Sequence, residues 1–104
     1  MNPKAAETWN FALSKMNEAA RYLEQEQDGL AKTEIAKAVY VGAGALLYVY
    51  GEGEQEQAAH EVAQRFITDM AAADCSAGDV YMAARKVLSF IAEMTPPEDP
   101  LPAP

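Results

Sequence analysis

Cysteine and histidine are almost missing from this chain of 104 residues, which holds one of each, Cys75 and His60. A lone cysteine excludes an internal disulfide and fits a reducing compartment. A lone histidine without a second histidine or a cysteine pair leaves no ligand set at zinc spacing. The Glu-x-x-His pattern of carboxylate-bridged di-iron bundles is absent too, because Gln57 stands where the glutamate is required. Positive charge is scarce: eight Lys and Arg oppose sixteen Asp and Glu, for a net charge of −8. Nucleic-acid phosphates and anionic lipid surfaces both need cations opposite them, so neither is an expected partner. No apolar run reaches the roughly 20 residues that span a bilayer. The N-terminal MNPKAAETWNF carries Glu7 and has no apolar core, unlike a secretory signal. A cytoplasmic protein is the expectation.

What the chain does have is apolar content, 50 % of its residues, ample for one core in a domain of this length. The segment Ala38 to Gly51 carries no charge at all. A stretch without a polar face is satisfied only when it is surrounded, so it is expected to be the spine of the fold. Around it the apolar residues recur at three- and four-residue steps. Asn2 caps a first helix with Pro3 at its first position, and Trp9, Met16 and Leu23 mark its stripe to about Glu26. Gln27, Asp28 and Gly29 are expected to stop it, and Thr33 to cap a second helix that runs to Tyr50, with Glu34 against its dipole. A rival for the central segment is a β-hairpin around Gly42-Ala43-Gly44, favoured by its β-branched and aromatic residues. Neither arm alternates polar with apolar and a lone hairpin is marginal, so helix is preferred.

A third helix is expected over residues 54–73, and a fourth over 77–94 behind the capping-box segment Ser76-Ala77-Gly78-Asp79. The fold class predicted is all-α, a compact four-helix bundle over residues 3–26, 33–50, 54–73 and 77–94. Residues 1–95 make one domain, and the segment 96–104, which holds five of the six prolines, is expected to be extended or disordered.

Several segments resemble chemistry without satisfying its requirements. Val39-Tyr40-Val41-Gly42-Ala43-Gly44 invites comparison with a dinucleotide fingerprint, but Leu47 occupies the third small position and no strand follows. The run Glu52-Gly53-Glu54-Gln55-Glu56 lacks the ligand series of a calcium loop. Cys75 precedes a helix start that favours a thiolate, while Asp74 beside it opposes one. No catalytic residue, cofactor or metal is assigned, and the chain is expected not to be an enzyme.

Two features point instead to recognition. Phe11 and Tyr22 fall almost three whole turns apart, so they share a side of the first helix with Lys4 and Lys15, away from the Trp9 stripe. Carboxylates gather near the interhelix turns: Glu24, Glu26 and Asp28 at the first, and Glu52, Glu54 and Glu56 at the second. In overall character, though in no aligned motif, the chain resembles the small acidic helical proteins that phages and mobile elements use as anti-CRISPR or nuclease inhibitors. That resemblance implies an inhibitor or adaptor blocking a basic, nucleic-acid-handling protein by charge complementarity, with no direct contact to nucleic acid. The alternative is a structural or assembly module that self-associates, for instance as a homodimer, through the Phe11 and Tyr22 side.

Overall fold

A computed structural model describes residues 2–72 and 74–104. Its four helices are α1 (Pro3–Glu24), α2 (Asp28–Tyr50), α3 (Glu54–Ala72) and α4 (Ala77–Glu93), and the fold is the all-α bundle expected. The starts of α1 and α4 form for the local reasons the sequence supplies. The Asn2 side chain accepts from the Lys4 amide at 2.9 Å with Pro3 behind it, and Ser76 Oγ accepts from the Asp79 amide at 3.2 Å.

The second helix departs from expectation. It begins at Asp28 rather than Thr33, so Asp28 and Gly29 belong to its first turn instead of a linker. The chain reverses in only three residues, Gln25 to Gln27. The Gln27 amide donates to the Tyr22 carbonyl at 2.9 Å and the Glu26 amide to that of Leu23 at 3.1 Å, the paired bonds of a Schellman turn. Glu26 takes the left-handed conformation this turn requires, with φ of 58°. Thr33 is therefore not a cap; inside the helix its hydroxyl donates to the Gly29 carbonyl at 3.1 Å. At its far end α2 stops at Gly51, whose φ of 75° suits glycine.

The helices run up and down, and α2 is their shared wall. It packs most extensively on α1 and more lightly on α3 and α4, which barely touch one another. The core is centred where three helices meet at Gly42. A Cβ there would lie 2.6 Å from Leu88 of α4 and 3.2 Å from the ring of Trp9 of α1, so only glycine admits this approach. Trp9, Ile35, Val39, Leu46, Leu88 and Ile91 fill the space around it, all fully buried.

The central segment is not enclosed on every side, as a run without a polar face suggests. Tyr40 is 57 % exposed, and Leu47, Tyr48 and Tyr50 are also open to solvent. The packing explains this: α1, α3 and α4 cover the rest of α2 and leave one stripe open.

The proline-rich segment 96–104 holds no helix or strand and lies along the bundle. A turn from Pro96 to Asp99, with Pro97 at its favoured second position, closes with an amide-to-carbonyl bond of 3.1 Å. The buried Thr95 hydroxyl donates to the Ala92 carbonyl and accepts from the Leu101 amide at 3.0 Å. Leu101 is thereby held in the core, and the Trp9 indole donates to the Pro102 carbonyl at 2.7 Å.

Candidate partner-binding surfaces

The up-and-down course brings the α1–α2 turn and the α3–α4 loop to one end of the bundle. Glu24, Glu26 and Asp28 are exposed there, and so is Asp74. At the same end, α3 and α4 diverge over a groove of about 380 Å³. Its floor is apolar, from Phe66, Met70, Val80 and Ala83, and Asp69 and Asp79 stand along it beside Cys75.

The second acidic group is less uniform. Glu52 and Glu54 are exposed at the α2–α3 turn, whereas the Glu56 side chain is only 18 % exposed. Its Oε1 lies 2.9 Å from Nε2 of His60, one turn along α3, and the His60 ring sits 5.8 Å from that of Tyr40. Glu56 is engaged within the bundle more than its two neighbours are.

Phe11 and Tyr22 separate in the same way. Phe11 is 51 % exposed with Lys15 Nζ 5.1 Å above its ring, a cation–π distance. Tyr22 is half-buried beside Glu18, Arg21 and Gln25. On α4, Met82 and Phe90 are exposed on the outer side with Arg85 and Lys86 between them.

Sequence reasoning missed the ionic cluster on the α1–α2 seam. Glu34 is buried, with Lys37 Nζ 3.3 Å from one carboxylate oxygen and Lys15 Nζ 3.3 Å from the other. The Lys15 contact has the distance of an ion pair but not the geometry of a hydrogen bond, and Lys15 also reaches Glu18 at 3.2 Å. Burial opposes ionisation of Glu34, yet the two ammonium groups outweigh it and hold the carboxyl below the usual glutamate range. Glu18 first, and Glu34 with it, raise Lys15 above the ordinary lysine value against partial desolvation. One end of this cluster is local, since Lys37 is three residues from Glu34, but Lys15 arrives from another helix and leaves no sequence signal.

Among the described residues no three His, Cys, Asp or Glu side chains are placed to hold a metal ion, and no helix is long and apolar enough to cross a membrane. No protein family, curated protein or solved structure matches this chain.

Proposed function

We propose that this protein is a small acidic binding module, an inhibitor or adaptor that captures a basic, nucleic-acid-handling protein through the end of the bundle bearing Glu24, Glu26 and Asp28. The observation that carries this reading is Glu26. It occupies a left-handed position, φ 58°, where glycine is favoured and a side chain costs about 1 kcal/mol. An exposed carboxylate kept at such a place, between two others, suits recognition better than folding. The groove between α3 and α4 opens on the same end, with apolar floor and acidic margin, and suits a basic segment carrying large apolar side chains. Glu52 and Glu54 would add a second negative patch at the opposite end, and Phe11 an apolar contact between them. The anti-CRISPR or phage character of such an inhibitor is part of the same proposal.

The test is capture from an extract of the source cells on immobilised protein, with stepwise salt elution and mass spectrometry. A specific basic partner should be retained at low salt and released as salt rises. Reversing Glu24, Glu26 and Asp28 to lysine should abolish its capture. Capture that survives reversal of both that group and Glu52, Glu54 and Glu56 rejects the proposal.

A further inference from the structure

α3 and α4 touch only lightly, and near the loop that joins them they part over the groove of about 380 Å³. Phe66 and Met70 of α3 and Val80 and Ala83 of α4 form its apolar surface. Phe66 and Met70 are only half-buried against the core, so one further large side chain would cover them. The lining runs four residue steps along each helix, Phe66 to Met70 and Asp79 to Ala83, about 6 Å at 1.5 Å per residue. That length admits a single bulky anchor, not the face of a long helix. Asp69 stands on the α3 margin and Asp79 on the α4 margin, both exposed, with Asp74 exposed on the loop between. Among the described residues the ion pairs lie on the α1–α2 seam and at Glu56–His60, so no cation matches Asp69 or Asp79. Arg65, one turn before Asp69, does not line the groove.

We propose that this groove seats one large apolar side chain of the partner, with a Lys or Arg on either side of it reaching Asp69 and Asp79. The inference rests on the acidic-end reading above and names the segment by which that partner is recognised. Charge selects the occupant. With carboxylates on both margins and no cation among the described lining residues, an acidic segment or a nucleic-acid phosphate is repelled. An anionic lipid surface finds no cation there either. The apolar surface then selects within the basic class, because a lysine-rich tail with no apolar residue leaves Phe66 and Met70 wet. Met70 is unbranched and polarisable, so it adapts to an aromatic or an aliphatic anchor. The groove opens at the end bearing Glu24, Glu26 and Asp28, where further cations of the same segment would meet those carboxylates. The three carboxylates draw basic segments in, and the groove decides which of them stays.

The probe is a synthetic peptide, Gly-Lys-Arg-Phe-Arg-Lys-Gly, titrated into the isotope-labelled full chain and followed by nuclear magnetic resonance. Binding should move the amide resonances of Phe66, Met70, Val80 and Ala83. It should also slow alkylation by iodoacetamide of Cys75, the exposed thiol beside the groove. Replacing the peptide's Phe by Ala should weaken binding about tenfold or more, the loss of one buried aromatic side chain. Exchanging its four cations for Glu should abolish binding. Ala83→Lys, at an exposed position, should weaken binding by about tenfold with an unchanged helical circular dichroism spectrum, and Asp69→Lys by about two- to fivefold. Reversal of Glu24, Glu26 and Asp28 to lysine should leave the groove resonances responding. No response at about 1 mM peptide overturns the proposal, as does equal binding of the alanine peptide or a response confined to residues 24–28. Each of these outcomes leaves the acidic-end reading standing, which fails instead when no basic partner is captured from the extract. A dimer that shields Cys75 and dissociates on Phe90→Lys would seat a second copy's Met82–Phe90 side in the groove, and overturns the proposal as well.

Discussion

Glu34 is the residue at which charge and packing are most tightly joined. Its carboxyl pKa is depressed in the fold, so the stability it contributes is present above the unfolded glutamate value and is lost as pH falls through the folded one. Lys15 has the opposite sign: its raised pKa contributes below the unfolded lysine value, and that contribution is lost as pH rises through the folded one. Glu34→Gln should therefore lower the thermal midpoint near neutrality and flatten its decline in acid, measured by circular dichroism across the pH range. A variant with the wild-type acid limb would show that Glu34 does not carry it. Glu26 makes a different prediction at the same scale. Glu26→Gly relieves the left-handed strain of the α1–α2 turn and should stabilise the fold by about 0.5–1 kcal/mol in denaturant titration. If the glutamate is there for recognition, the same change should weaken partner capture while the protein becomes more stable.

Among the elements, α2 is set by its two inner glycines, which are near in sequence and opposite in role. Gly42→Ala drives a methyl group into Leu88 and Trp9, both fully buried, and the overpacking should exceed the gain in helix propensity, for a net loss on the order of 1 kcal/mol. Gly44→Ala meets nothing, and in dilute solution should stabilise by about 0.5–1 kcal/mol. Urea melts of the two variants should move in opposite directions from wild type. The C-terminal segment behaves as a fifth packing element. Deleting residues 101–104 removes buried Leu101 and leaves the Trp9 indole without its carbonyl. The expected loss is about 2–4 kcal/mol, with a red-shifted Trp9 emission.

The four helices were legible because their signals are local: caps at Asn2 and Ser76, and apolar stripes at helical spacing through Trp9 and Leu88. The start of α2 was not, since a glycine at Gly29 marks a stop in most contexts and nothing about Glu26 announces a left-handed turn. The open stripe was hidden for a related reason. Tyrosine counts as apolar in a pattern, so a run through Tyr40 and Tyr48 looks uniformly buried even though their rings lie along one side. The Lys15–Glu34 pair and the Trp9–Pro102 bond join distant positions, and no window of the sequence contains both partners. Of the candidate site residues, Glu24, Glu26, Asp28, Glu52, Glu54 and Phe11 are exposed where a partner could reach them, whereas Tyr22 is half-buried and Glu56 turns to His60.

At the scale of the whole molecule, an acidic bundle of Cα dimensions 38 × 24 × 17 Å presents two unlike kinds of surface. Negative ends lie at the interhelix turns, and an aromatic, lysine-bordered side runs between them along α2. The acidic ends predict association that salt weakens, and the aromatic side predicts contacts that salt affects little. Both placements depend on α2 continuing unbroken through Gly42 and Gly44, with Trp9 and Leu88 closing on one side and water on the other. Amide hydrogen exchange resolved by residue tests that most directly. Protection should be continuous and near-global from Ile35 to Leu46, including the Gly44 amide on the open side, with helical medium-range contacts across both glycines. Rapid exchange at residues 42–44, with cross-strand contacts between residues 39–41 and 46–50, would contradict the account.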